Sequence, residues 1–82
     1  MTSIAEIEKM DFPLGVKVTL CRVALGLSQI QLSKLCKLTQ VQISLFEKGR
    51  TKHVTTKQYE VMMRSMYKLE RSRTKAKHTN EQ

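Results

Sequence analysis

The chain has 82 residues, 40% of them hydrophobic, and its 15 lysine and arginine residues against 7 aspartate and glutamate residues give a formal net charge of +8. This length allows one domain with a modest core, which must rest on aliphatic and methionine side chains because tryptophan is absent. No apolar run approaches the roughly 20 residues of a membrane span, and no segment resembles a secretory signal. We therefore expect a cytoplasmic protein that does not contact a membrane.

The positive charge is concentrated towards the C-terminus. Residues 1–49 carry six basic and four acidic side chains, whereas residues 50–82 carry nine basic and three acidic ones. A nucleic acid is a natural partner for such a chain, because each neutralised phosphate releases condensed counterions. Charge alone does not identify the partner, since solvated tails and ribosome- or membrane-associated proteins share this composition.

Two helices are predicted in the N-terminal part. Ser3 and Glu6 have the spacing of a capping box, which predicts a short helix over about residues 4–10. Pro13 suits the first turn of a second helix that runs to about residue 25. Gly26 then ends this helix as a C-terminal glycine.

Three further helices are predicted after Gly26. Ser28 caps a helix over 29–36, whose Leu32, Leu35 and Cys36 share one face, and Thr39 caps a helix over about 40–48. A longer helix over about 56–71 has an apolar stripe formed by Tyr59, Met62, Met63, Met66 and Leu69. The resulting division is an N-terminal extension over 1–12, an all-α helical domain over 13–71 and a flexible, basic C-terminal tail over 72–82.

The two cysteines are predicted to be structural. Cys21 and Cys36 fall at apolar positions of two predicted helices, where reduced thiols act as small core side chains. His53 and His78 lack a usable spacing with them for a zinc site. We expect no metal, no cofactor and no small-molecule ligand.

The segment from Val18 to Thr51 resembles the Cro and phage-repressor helix-turn-helix family, also known as XRE-like or Cro/C1-type. Leu27-Ser28-Gln29 resembles the family's Leu-Ser-Gln opening, and Glu47-Lys48-Gly49-Arg50 resembles its closing Glu-x-Gly-Lys/Arg. The positions that match its apolar pattern are Leu32, Cys36, Leu38, Ile43 and Phe46, with Ser33 at its small position. The resemblance implies a compact lambda-repressor-like domain of four to five helices that binds double-stranded DNA.

The chain departs from this family in two places. Lys37 stands at the turn between the two short helices, where the family usually has glycine in a left-handed conformation. A residue with a Cβ at such a position costs on the order of 1 kcal/mol. In addition, the chain becomes polar after a single long helix that follows residue 55, whereas the family commonly supplies one more helix.

The side chains expected to read bases lie on the helix over 40–48. With Ile43 and Phe46 facing inward, a step of 100° per residue turns Val41, Leu45 and Lys48 outward and places Gln40, Gln42 and Ser44 on the flanks. Gln40 matches the family's first base-reading residue, and a glutamine can bond adenine N6 and N7 together. Val41 and Leu45 suit thymine methyl groups, or alternatively a protein interface. Gln42 and Ser44 either contact DNA or remain solvated.

Other residues are expected to bind phosphates or to hold the helices in place. The family uses the residue at Gln29 to bond a phosphate and to support the first base-reading glutamine, and it runs the segment with Lys48, Arg50 and Lys52 along the DNA backbone. The family also implies a partly buried ion pair between Arg22 and Glu47. Its role would be to fix the angle of the recognition helix.

These features favour a sequence-specific transcriptional regulator, and more specifically a homodimeric repressor of a mobile element or similar switch that occludes a promoter. The alternatives are an antitoxin of the same fold that neutralises a toxin, and an RNA- or ribosome-binding protein. An enzyme is not expected, since the chain has a single aspartate and no Cys-His arrangement. The stripe of Tyr59, Met62, Met63 and Met66 either closes the core or supplies the dimer interface.

Overall fold

The computed structural model describes residues 3–50 and 56–80, and it describes side chains for residues 3–50 and 56–73. These ranges are all-helical and contain no strand. The helices are α1 (Ile4–Lys9), α2 (Leu14–Ala24), α3 (Gln29–Cys36), α4 (Gln40–Glu47) and α5 (Thr56–Asn80). The first four lie within one residue of their predicted bounds.

Hydrogen bonds from side chains fix the starts of the short helices. Ser28 Oγ accepts from the Gln31 amide at 3.0 Å while Gln31 Oε1 accepts from the Ser28 amide at 2.8 Å. The same reciprocal pair joins Thr39 and Gln42 at the start of α4, at 3.1 and 2.9 Å. These capping boxes satisfy amides that a helix of eight residues cannot pair internally, so both helices begin at defined residues.

Helix α5 is longer than the sequence predicts. Its predicted end at about residue 71 differs from its end in the structure, where the helix is described to Asn80 and so covers most of the segment predicted as a tail over 72–82. Residues 72–80 contain neither proline nor glycine to stop the helix. In addition, Arg73 Nη1 donates a hydrogen bond to the Leu25 carbonyl at 2.6 Å, which fastens the turn after residue 71 to the end of α2.

The core lies between helices that pack pairwise: α2 packs against α1, α4 and α5, and α3 packs against α4 and α5. Its fully buried side chains include Ile4, Val18, Cys21, Leu32, Ile43, Phe46, Met62 and Met66. The methionine stripe of α5 is therefore part of the core. Leu35, which the sequence placed on the buried face of its helix, is 43% exposed. The core-facing side of α3 is narrower than predicted and is occupied by Leu32 and Cys36.

Gly15 allows α2 to lie directly against the end of α4. A Cβ atom at Gly15 would fall 2.3 Å from the Phe46 carbonyl oxygen and 2.9 Å from that of Glu47. Both neighbours are backbone atoms, so no side-chain rotation relieves the clash. The position of α4 relative to α2 consequently depends on this glycine, a constraint that the sequence did not indicate.

A carboxylate on α1 joins the N-terminal extension to α5. Glu8 accepts hydrogen bonds from the Tyr67 hydroxyl at 2.6 Å and the Tyr59 hydroxyl at 3.2 Å. Burial, followed by the negative charge and hydrogen bonding of Glu8, raises the pKa of both tyrosines above the usual value of 10.0. Tyr67 is half-buried, and this contact holds its hydroxyl against α1.

No helix in the described part of the chain is long and apolar enough to cross a membrane. No group of three or more potential metal ligands occurs among the described side chains. Cys21 and Cys36 are free and buried.

Candidate functional site

The turn between α3 and α4 contains a left-handed residue, as the resemblance implies. Lys37 has φ 61° and ψ 27°, and it is the single non-glycine residue with positive φ among the described residues. Leu38, which follows it, packs partly buried against the core. A left-handed residue reverses the chain within a short connection, so Thr39 can cap α4 immediately after it.

Arg22 and Glu47 form the predicted ion pair. Arg22 Nε lies 2.8 Å from Glu47 Oε2, and Nη2 donates to Oε1 at 3.2 Å, so the guanidinium binds the carboxylate in a bidentate manner. The remaining guanidinium nitrogen, Nη1, donates a hydrogen bond to the Leu27 carbonyl at 2.7 Å. The side chains are 15% and 7% exposed. The pair thus links α2, the turn before α3 and the last residue of α4.

Gln29 extends this pair to the start of α4. Its Nε2 donates to Glu47 Oε1 at 3.1 Å, and its Oε1 accepts from Gln40 Nε2 at 3.2 Å. A continuous chain of hydrogen bonds therefore runs from Arg22 through Glu47 and Gln29 to Gln40. The Gln40 amide keeps a second N–H and a carbonyl oxygen with which to bind another group.

The outer face of α4 combines apolar and polar side chains. Val41 is 63% exposed and Leu45 is 41% exposed, while Gln40 lies beside them at the exposed start of the helix. Gln42 is also exposed, but its Oε1 is bound by the Thr39 amide. A contact of Gln42 with a ligand must therefore use its Nε2 group.

The chain after α4 is held by a defined turn. Gly49, with φ 69°, places its amide 3.0 Å from the Phe46 carbonyl, and the Arg50 amide lies 3.0 Å from the Leu45 carbonyl. The side chains of Lys48 and Arg50 are exposed at this end of the helix. Lys52, a predicted phosphate contact, lies outside the described residues.

Two features of the site were not predicted from the sequence. The Gln29–Glu47 bond joins residues 18 positions apart, and no local pattern indicates it. The capping function of Gln42 was detectable, since Thr39 and Gln42 have the Thr-x-x-Gln spacing of a capping box. Comparison of the chain with protein-family models, curated proteins and solved structures found no match.

Proposed function

We propose that this chain is a sequence-specific DNA-binding regulator of the Cro and phage-repressor helix-turn-helix type. In this proposal α3 and α4 form the helix-turn-helix, and α4 enters the major groove. It is a cytoplasmic homodimer that occludes a promoter by binding a palindromic operator, with half-sites about 34–36 Å apart.

The observation that carries the proposal is the hydrogen-bond chain that ends at Gln40. A glutamine that reads adenine must hold its amide in one orientation, because it donates to N7 and accepts from N6 at the same time. The bond to Gln29 uses one N–H of Gln40 and orients the remaining N–H and carbonyl. A glutamine that is only solvated requires no fixed orientation of its amide, so this hydrogen bond favours a role in base reading.

The surroundings of Gln40 suit the same groove. Val41 and Leu45 offer exposed apolar surface for thymine methyl groups, and such contacts contribute to the reading of the major groove. The exposed side chains of Lys48 and Arg50 follow at the far end of α4, where cations bind phosphates and set the register of the protein on DNA.

The proposal is tested by selection of bound sequences from a pool of randomised DNA duplexes at about 150 mM salt. We expect enrichment of a two-fold symmetric sequence with half-sites one helical turn apart. Binding without an enriched sequence, or no binding, would contradict the proposal.

The salt dependence of binding tests the assignment of phosphate contacts. Lys48→Ala should weaken binding to every duplex and reduce the slope of log K against log salt by about one. Lys34→Ala removes the same charge from an exposed position of α3 outside the proposed site, and it should leave that slope nearly unchanged. Equal slopes for Lys48→Ala and the parent protein would contradict the assignment.

A further inference from the structure

An exposed apolar surface lies away from α4, on α2, the end of α1 and the loop between them. We call it the α1–α2 apolar patch. It consists of Met10, Phe12, Val16, Leu20 and Val23, which are between 38% and 61% exposed. Its centre is a groove of ≈ 410 Å³ lined by Ile7, Met10, Phe12, Leu20, Val23 and Ala24. Val16, Leu20 and Val23 follow a helical spacing, so they form one continuous stripe on α2.

We propose that a second copy of this chain binds to the α1–α2 apolar patch, and that this contact is the interface of the dimer. The inference rests on the proposed function in one respect, since a two-fold DNA site calls for two copies. The stripe of Tyr59, Met62, Met63 and Met66 is not available for the purpose, because it is buried in the protein's own core.

Charge selects this face for self-association. Each copy carries a net charge of +8, so two copies repel one another unless they meet on a surface poor in free cations. Of the two cations of α2, Arg22 is compensated by Glu47, whereas Lys17 keeps its charge and is held against α1 by a 2.7 Å hydrogen bond from Nζ to the Glu8 carbonyl. The apolar stripe of α2 therefore has one uncompensated α2 cation beside it, and that cation is fixed in position.

The rim of the patch carries one charge of each sign. Lys9 and Asp11 are both exposed on either side of Met10. In a two-fold interface a residue that contacts another on the partner is contacted by the same residue in return. Lys9 of one copy can thus pair with Asp11 of the other, and this pair forms twice per dimer. An unrelated partner would need its own acidic and basic side chains at matching positions.

The size of the patch fits a reversible dimer. The exposed fractions of these side chains correspond to an apolar area on the order of 400 Å² per copy, within the range of the largest patches on monomeric proteins. A standard interface buries roughly 800 Å² per partner, about half of it apolar. The patch together with a polar rim of similar area would reach this standard size. We therefore expect a reversible dimer whose population rises with protein concentration.

The helix that carries most of the patch, α2, also packs against α4, the proposed DNA-binding helix. Another side of α2 contacts the backbone of α4 at Gly15, so α2 and α4 are held in one arrangement. A dimer formed through α2 would therefore set the separation of the two α4 helices.

Sedimentation of the full chain without DNA tests the interface. We expect the mass to rise from the monomer value of 9.5 kDa towards twice that value as concentration increases from about 1 to 500 µM. Leu20→Lys should remain a monomer over this range. The matched control is Leu35→Lys, since Leu35 is 43% exposed and Leu20 is 38% exposed, and it should dimerise as the parent does.

A cysteine-crosslinking experiment gives an independent measurement. Because the reciprocal Lys9–Asp11 pairs bring the two Met10 residues together, Met10→Cys should form a disulfide-linked dimer under mild oxidation, whereas Leu45→Cys, with nearly the same exposure, should not. The native thiols give little background because both are buried and burial raises the pKa of each.

The possible outcomes separate this inference from the proposed function. A parent protein that stays monomeric at every concentration, a Leu20→Lys variant that still dimerises, or a Leu35→Lys variant that does not would overturn the interface. Dimerisation that is lost only in Leu20→Lys supports the interface even when the DNA selection fails. Conversely, if the sedimentation result contradicts the interface, the interface is wrong even when the DNA selection enriches a two-fold symmetric sequence.

Discussion

The side-chain carbonyl of Gln29 accepts a hydrogen bond from the side-chain amide of Gln40 at 3.2 Å, across the turn that joins α3 to α4. Gln29 is itself held by Glu47, which is held by Arg22. The orientation of an exposed side chain on α4 is therefore determined by a partly buried ion pair at the other end of that helix.

The first prediction concerns the coupling of these two glutamines. On a selected DNA site, Gln40→Ala should reduce discrimination at one position of each half-site by roughly 1–3 kcal/mol. Gln29→Ala should reduce discrimination at the same position, because Gln40 loses its support. In the double variant the second substitution should add almost nothing there. Affinities for matched and mismatched duplexes provide the measurement, and additive losses would contradict the coupling.

The second prediction concerns the ion pair. Arg22→Met leaves the Glu47 carboxylate, which is 7% exposed, without its cation, and it should lower the free energy of unfolding by about 3 kcal/mol. The double variant Arg22→Met/Glu47→Leu should lose less than the sum of the two single losses, because no charge is then left uncompensated. Urea denaturation followed by circular dichroism measures these values. Additivity to within about 0.5 kcal/mol would show that the two residues act independently.

Local sequence patterns predicted the all-helical architecture and most helix ends. Ser3, Ser28 and Thr39 each cap the helix predicted to follow them. The left-handed conformation at Lys37 was implied by the resemblance to a family that usually has glycine at this turn, even though lysine is unfavourable there. These features depend on residues within four positions of one another, which is why the sequence was sufficient.

Features that depend on distant residues were not predictable in the same way. The exposure of Leu35 follows from how closely α3 and α5 pack, and helical periodicity alone does not give that distance. The end of α5 depends partly on the Arg73 contact with Leu25, 48 positions away. The Arg22–Glu47 pair was predicted through resemblance to a family, whereas its extension to Gln40 required the three-dimensional arrangement.

The third prediction tests the close contact between α2 and α4. Gly15→Ala places a Cβ atom against two backbone carbonyls and should lower the free energy of unfolding by about 3 kcal/mol. Gly26→Ala is the matched control, because a Cβ there meets nothing within 4 Å and the change costs only about 1 kcal/mol through its positive φ. Thermal and urea unfolding of both variants measure the difference. Equal losses would show that α2 can shift away from α4 at little cost.

The fourth prediction is a loss of stability at alkaline pH that depends on Cys21. Burial, together with the negative charges of Glu8 and Glu70, raises the pKa of the Cys21 thiol from 9.0 to about 11, although Lys17 opposes the shift. The folded protein therefore binds this proton more tightly than the unfolded chain does. The stabilisation is fully present below pH 9 and is lost as the pH rises towards 11.

Urea unfolding between pH 8 and 10 under reducing conditions tests this assignment. The free energy of unfolding of the parent protein should fall above pH 9, and the fall should be smaller in Cys21→Ala, whatever the stability of that variant at pH 8. The buried tyrosines add a loss of the same sign, but theirs begins near pH 10, the ordinary tyrosine pKa. An identical pH dependence in the two proteins would mean that Cys21 titrates alike in the folded and unfolded states.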